Sequence, residues 1–303
     1  MNIFARQSPA RISPSRWALA TLLALAALSN ASVAGNPTSV AAFEKSGQCV
    51  QCDLRYEPFV GRTIVKANLT GAYLFNADLR HALMLDAVLE SAILINANLE
   101  QADFTRANLA KASLQDANLR GATLVSANLA FANCDGAIME ASDISQAELI
   151  TASLIGARMQ NIFAIGTKMR SADLRRADLS RARLNGADLE AANLGGATLT
   201  GANLDNANLR GASLQGAILS GASLRYAVLR QANFHGALLV GADMLGATLQ
   251  DADFSDADLT SVDLNVVFAE GANFCNAKMP DGARGNCKPA MPNALPAVPG
   301  KAL

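Results

Sequence analysis

This chain of 303 residues has only two histidines, one tryptophan and three tyrosines, and charged residues make up just 17% of it. With so few histidines, a Ser/His/Asp triad would have to use His81 or His235. Neither is placed by sequence to complete a zinc site with the cysteines. HExxH, a P-loop, GxGxxG and a Gly-x-Ser-x-Gly elbow are all missing, so no motif announces metalloprotease, nucleotide or α/β-hydrolase chemistry. The net charge of −1 carries neither the basic footprint of a nucleic-acid binder nor the strong acidity of a DNA mimic. No apolar run is long enough to span a bilayer, although 51% of the residues are hydrophobic.

What the chain does have is alanine at every fifth position, with a large apolar residue two places later. From Ile64 to Met279 the large slots fall only at numbers ending in 4 or 9, which makes 44 repeats. Only Cys134, Ala164 and Ala269 depart from Leu, Ile, Met or Phe there, and the small slot is Ala in 38 of the 44. A repeat this regular decides the fold before any other argument.

A period of five fits neither regular element. On an α-helix every fifth residue rotates by about 140°, so Leu69, Leu74, Leu79 and Met84 would form no stripe. On a flat strand an odd period sends successive leucines to opposite faces. Ala67 and Leu69, two apart, do share one face of a short extended piece. The backbone must then turn after each repeat, so that the next pair also points inward. Four turns close a square, and stacked squares bring residues 20 apart into register at about 4.8 Å. Forty-four repeats give eleven coils and a rod of roughly 50 Å. Alanine accompanies leucine because two large residues per repeat would overpack a narrow tube. Around Ile162, Phe163 and Ala164, and again around Val267, Phe268 and Ala269, large and small residues exchange slots at roughly constant volume, so no loop is expected at either place. Phe234, Phe254 and Phe274 are spaced to form an aromatic ladder inside the last coils.

At this point the chain resembles the pentapeptide-repeat family, whose pattern is written A-[DN]-L-x-x, over roughly residues 49–287. The resemblance implies an all-β fold, a right-handed quadrilateral β-helix built from short bridges and turns. The flanks, with Cys49-Val50-Gln51-Cys52-Asp53-Leu54 at one end and Phe274-Cys275-Asn276, Met279-Pro280-Asp281-Gly282 and Cys287 at the other, resemble bacterial members.

The ends divide into recognisable parts. Arg6, Arg11 and Arg16 precede an apolar stretch from Trp17 to Leu28, and Ser32-Val33-Ala34 makes a small-residue cleavage site. Residues 1–34 therefore read as a signal peptide, with periplasmic or secreted localisation and cleavage after Ala34. The mature chain keeps 22 basic and 26 acidic residues, a net charge of −4. Residues 35–63 read as an N-terminal cap with a CxxC, in which Asn36, Pro37 and Gly47 delimit a short capping helix over about 37–46. Residues 64–279 are the repeat, and 280–303 a C-terminal cap with a tail rich in proline.

Five cysteines in an exported chain suggest two disulfides and a spare thiol. Cys275 and Cys287 flank a short closure, where a bridge would contribute about 3 kcal/mol in the chain-entropy account. Cys49 and Cys52 suit a tight bridge, with redox chemistry or metal binding as the alternative. Haem attachment needs His where Asp53 stands, and a thioredoxin-like motif needs a βαβ setting. Cys134 falls in an inward slot and reads as an inert buried thiol. The acidic group Asp243, Asp251, Asp253, Asp256, Asp258 and Asp263 raises calcium, but most of these fill the ordinary D/N slot and the calcium nonapeptide is missing. No cofactor is expected.

Two surface features remain as candidate interaction sites. Arg170, Arg175, Arg176, Arg181 and Arg183 fall within one coil and would belt the rod, with Asp173, Asp178 and Asp188 interspersed. Val65, Leu85, Val125, Ile165 and Leu245 share one outer row, interrupted by Thr105, Ser145, Asn185, Asp205 and Arg225. The sequence thus describes a non-catalytic exported scaffold acting by surface contact with a protein or glycan partner, a homodimer being a further candidate. A DNA-mimicking topoisomerase-binding protein and a secreted effector are the alternatives. No nucleic-acid partner and no membrane span are expected in the mature chain.

Overall fold

The computed structural model describes residues 35–287, so the segment read as a signal peptide (1–34) and the proline-rich segment 288–303 lie outside the described residues. The fold follows from where five backbone N–H groups per repeat find acceptors. Taking residues 68–72, Asn68 N–H donates to Gly47 O in the coil before at 3.1 Å, and Leu69 N–H to Val88 O in the coil after at 2.7 Å. Gly71 N–H reaches Glu90 O at 2.8 Å, and Ala72 N–H folds back to Leu69 O at 2.9 Å, closing the corner. The fifth, from Thr70, is taken by the side chain of Asn68 at 3.1 Å. The same bond recurs at Glu100, Thr105, Ala110 and Arg120, each held by the Asn or Asp two residues earlier. The D/N slot therefore exists because a carbonyl or carboxylate oxygen there satisfies the donor that the ladder leaves over.

Stacking is parallel and in register by 20 residues, from Gln48 opposite Asn68 to Asp258 opposite Lys278. These contacts are isolated bridges; no extended strand occurs among the described residues. The four-sided coil of short bridges and turns is the form expected, while the strand content of an all-β fold is limited to these bridges among the described residues. The reason is geometric, since a chain that turns every five residues leaves each side only one pair to bridge. The coil also starts at Gln48, inside the segment assigned by sequence to the cap.

Every corner from Gln51 to Asn276, in steps of five, places its third residue at positive φ, as in Asn76 (55°), Arg106 (58°) and Gly196 (66°), with position 266 as the exception. Glycine fits this geometry freely, and other L-residues adopt it at a cost of about 1–2 kcal/mol. Gly246 has a second reason, because a Cβ there would lie 2.5 Å from the Tyr226 ring.

The exception corrects the expectation of an unbroken coil. Residue 266 is Val, and a β-branched side chain at positive φ is disfavoured; among the other corners only Thr151 is β-branched. The chain instead makes a 3₁₀ turn over Leu264–Val266, whose first free N–H, on Asn265, is capped by Asp263. The bridge expected between Asp243 and Asp263 is lost, and Gly246 N–H bonds to Val266 O, one residue late. Val267 and Ala269 are half-buried against the core and Phe268 is 61% exposed. At the first exchange the coil does run through: Ile162 and Ala164 are fully buried, while Phe163 faces out under the Arg183 guanidinium, 4.7 Å from the ring centroid.

The interior is a solid column. Leu69, Leu89, Leu109, Leu129 and Leu149 are all buried and lie one above another. Phe234, Phe254 and Phe274 stack with centroids 4.6 and 5.4 Å apart. The two buried polar residues in small slots, Ser142 and Thr167, donate to Met139 O (2.8 Å) and Ile144 O (2.9 Å). Both donors are thereby satisfied, which is what burial of a hydroxyl requires.

Each end is covered. The helix α1 (Pro37–Ser46) is capped by Asn36, whose side chain accepts from Thr38 N–H, and ends at Gly47 in the left-handed conformation. Phe43 of α1 packs edge-to-face on Phe59 at 5.3 Å, and Arg62 pairs with Glu44. At the other end the chain reverses through Gly282 and Lys278 pairs antiparallel with Arg284, which masks the last pairing edge.

Candidate interaction surface

Because the tube is filled, all available chemistry sits on its outer faces and corners. Along the faces, D/N slots one coil apart bond to each other: Asn118 to Asn98 at 3.0 Å, Asn128 to Asn108 at 3.3 Å, Asn273 to Asp253 at 2.9 Å. Charges also pair across coils. Glu140 is held between Arg120 and Arg158, a clamp that sequence reasoning missed although the 20-residue spacing of Arg120 and Glu140 signals it.

A second pattern is local. In Asp53-Leu54-Arg55, Asp78-Leu79-Arg80 and Asp173-Leu174-Arg175 the guanidinium folds back onto both carboxylate oxygens. The hydrogen bond from each arginine holds its carboxyl below the ordinary aspartate range. Such a carboxylate stabilises the fold above its unfolded pKa and loses that contribution as pH falls through the depressed value. These pairs are solvated, so the contribution is small.

The five arginines lie on the outer corners and faces of one coil, and three of them are engaged. Arg170 bonds Asp188 and approaches Glu190, Arg175 clips Asp173, and Arg183 covers Phe163. Arg176 and Arg181 make no ion pair among the described residues; their stems lie over the corners at Gly196 and Gly201. Beside Arg175 and Arg176, the missing side chains of Gly195 and Gly196 leave an open dent of about 550 Å³, rimmed by Asn193, Ser213 and Gln215. The apolar row is less continuous. Val65 and Ile165 are exposed, whereas Leu85, Val125 and Leu245 are half-buried.

His235 comes closest to a catalytic arrangement. Its Nδ1 lies 3.0 Å from Ser255 Oγ and 3.6 Å from Asp256 Oδ2. Both partners crowd the same ring nitrogen, whereas a relay needs the acid on one nitrogen and the nucleophile on the other. The acidic group near the C-terminal end is spent on local bonds, Asp253 on Ser255 and Asn273, Asp258 on Thr260 and Lys278. Among the described residues no cluster of His, Cys, Asp and Glu is placed to hold a metal.

The cysteines are joined as Cys49–Cys52 and Cys275–Cys287, leaving Cys134 buried and free. Burial pushes the Cys134 thiol up to about 12. The thiolate is the reactive form, so Cys134 is expected to resist alkylation in the folded protein and to react fully in denaturant. Mass mapping under non-reducing conditions checks this together with the two bridges; recovery of Cys275 and Cys287 as free thiols in exported protein would contradict the closure at the C-terminal end.

A family model described as pentapeptide repeats matches in eight copies, over residues 67–106, 84–124, 107–146, 122–161, 147–186, 163–196, 187–225 and 227–265. No curated protein is matched. Among solved structures the chain is similar to HetL, a pentapeptide repeat protein involved in heterocyst differentiation regulation from the cyanobacterium Nostoc sp. strain PCC 7120. The identity is 29% over 82% of this chain and 99% of that one, with a TM-score of 0.54. Full-length QnrB1, a plasmid-mediated fluoroquinolone resistance protein, matches at 20% identity over 71% and 90%, TM-score 0.39. A pentapeptide repeat protein of the Arabidopsis thaliana thylakoid lumen matches at 30% over 38% and 70%, TM-score 0.20. Among the described residues no helix is long and apolar enough to cross a membrane.

Proposed function

The chain belongs to the pentapeptide-repeat family, and from that premise we propose that it is a non-catalytic scaffold, exported to the periplasm or beyond, that works by surface contact with an extended protein or glycan. Family membership supports a right-handed winding of its coil. The observation that carries the reading is the filled interior: inward slots from Ala67 to Val262 are buried apolar side chains, apart from the satisfied Ser142 and Thr167. A ligand therefore has only the outside. There the faces repeat Asn, Asp, Ser, Thr and Arg once per coil, a lattice suited to a partner that is itself extended or repeated. Export is supported by the arginines and apolar stretch of the leader and by two cysteine pairs joined as disulfides.

The test is fractionation of the native cells with crosslinking, followed by activity screening and native mass measurement of the mature chain, residues 35–303. Recovery from the envelope or medium, a crosslinked protein or glycan partner and no turnover are expected. Reproducible hydrolase or oxidoreductase turnover that disappears on changing His235 or Cys52 overturns the scaffold reading. Cytoplasmic residence with topoisomerase inhibition replaces it by the DNA-mimic reading, and delivery into another cell by the effector reading.

A further inference from the structure

Gly35 occupies a niche made of backbone. Its N–H donates to Glu57 Oε1 at 3.1 Å, and the next N–H, of Asn36, donates to Asp53 O at 3.0 Å. A Cβ at position 35 would stand 2.9 Å from Asp53 O and 3.1 Å from Leu54 Cα. Neither atom can swing aside, so only glycine lets the chain come this close. Glu57 is itself an anomaly. It stands half-buried in the small slot of the first coil, where nearly every later coil has alanine, and its carboxylate makes no ion pair among the described residues. A carboxylate withdrawn from water at a rim calls for a cation.

The surroundings supply none. The neighbouring Asp53 carboxylate is clipped by Arg55, which removes both from the balance, and Tyr56 is exposed. Helix α1, packed against the same rim, has no acidic residue in its first turn, so among the described residues Glu57 is the unpaired negative charge facing Gly35. The residues ahead of Gly35 are Ser32-Val33-Ala34, small at the positions a processing peptidase requires.

We propose that processing between Ala34 and Gly35 is completed by Glu57, which binds the newly made α-ammonium of Gly35 and so locks the N-terminal cap onto the first coil. This rests on the export reading above. Hydrolysis adds one water across the Ala34–Gly35 peptide bond; Ala34 leaves with a carboxylate, and the Gly35 amine takes up a proton. Ahead of cleavage Glu57 accepts a neutral amide N–H; afterwards it faces a full positive charge at the same atom. The charge also offsets a local penalty, since an ammonium next to the N-terminal end of α1 is repelled by the helix dipole unless a carboxylate compensates it.

The test compares residues 35–303 carrying a free α-amine with the same chain acetylated at Gly35, each with and without Glu57→Gln. Acetylation keeps the N–H donor and removes the charge. At pH 7, Glu57→Gln is expected to lower the melting temperature of the free-amine chain by about 2–4 °C and to leave the acetylated chain nearly unchanged. A paired α-amine has its pKa raised, so the stabilisation is complete below its unfolded value of about 7.7–8.0 and lost as pH rises through the folded one; the difference should close by about pH 10. Equal shifts in both forms at pH 7 overturn the role of Glu57. N-terminal sequencing of the protein from native cells supports the processing step if it begins at Gly35 and overturns it if it begins elsewhere. An uncleaved cytoplasmic chain brings down the export reading itself, whereas an exported chain starting at Gly35 without the charge-specific shift brings down only this inference.

Discussion

Leu109→Asp is expected to abolish cooperative folding of the coils around it. Leu109 is buried between Leu89 and Leu129 in one inward column, and the slots beside it in its own coil are Ala107 and Ala112, equally buried. No donor points into the tube here, because the backbone N–H groups are spent on the ladder. The carboxylate would have to shed its hydration without a partner, or take up a proton and still lack a hydrogen bond, at a cost of several kcal/mol. Loss of the leucine's own burial adds about 1.5–3 kcal/mol. Together these rival the whole stability of an ordinary domain, about 5–15 kcal/mol. In a stacked repeat each coil contacts only its neighbours, so the damage has a location. Circular dichroism should lose its cooperative melt, and limited proteolysis should cut first near residues 90–130. Leu109→Met, which conserves volume, is expected to cost less than about 1.5 kcal/mol. A wild-type melt for the aspartate variant would mean that the column is not the core.

The register of that column was legible from residue numbers alone, because a period of five admits one closed arrangement. Two other features were hidden for physical reasons. The first coil kept the large slots, with Cys49, Leu54 and Phe59 buried, but replaced alanine by Cys52, Glu57 and Arg62 in the small ones. At an open rim the small slot borders a cap rather than another coil, so longer polar side chains fit, and the alanine signal fades just where the coil begins. The break at Leu264–Val266 was masked by the opposite effect. Spacing in multiples of five continues through it, and the volume exchange at Val267 and Ala269 is innocent at the other site. The informative residue was Val266, standing in the one slot of the repeat that demands positive φ, a slot defined by backbone geometry and not by hydrophobicity.

The candidate site was legible only as a set of outward positions. That Arg170, Arg175 and Arg183 are engaged by Asp188, Asp173 and Phe163 depends on neighbours two, 18 or 20 residues away. Once the coil is known, those separations can be read directly. Cross-coil contacts such as Glu140 with Arg120 and Arg158 then become predictable, while the sequence alone, read without the square, shows only mixed charge. Glu57 belongs to the same class: its partner, the Gly35 N–H, lies 22 residues back and on no repeat position.

Phe254→Ala is expected to be the most damaging neutral substitution, and to act on one end of the rod only. Phe254 is fully buried and lies between Phe234 and Phe274, with ring planes inclined by only 5° and 12°. Removing it deletes both stacking contacts and leaves a cavity that the tight ladder cannot close, at a cost of about 3–5 kcal/mol. The position matters as much as the size. The next coil carries the 3₁₀ turn at Leu264–Val266, where a bridge is already missing, so the segment beyond has weaker support than any other. Hydrogen exchange should accelerate from about residue 234 to the C-terminal closure, and the Cys275–Cys287 bridge should become reducible under mild conditions, while Cys134, six coils from Phe254, stays protected. Phe254→Leu, which places the commonest residue of the repeat in that slot, separates two explanations. If volume governs, leucine recovers most of the loss; if the aromatic stack governs, leucine falls close to alanine. An alanine variant that melts as a whole, with Cys134 exposed at the same temperature as the C-terminal coils, would show that the rod behaves as one cooperative unit and that the defect at Val266 is no boundary.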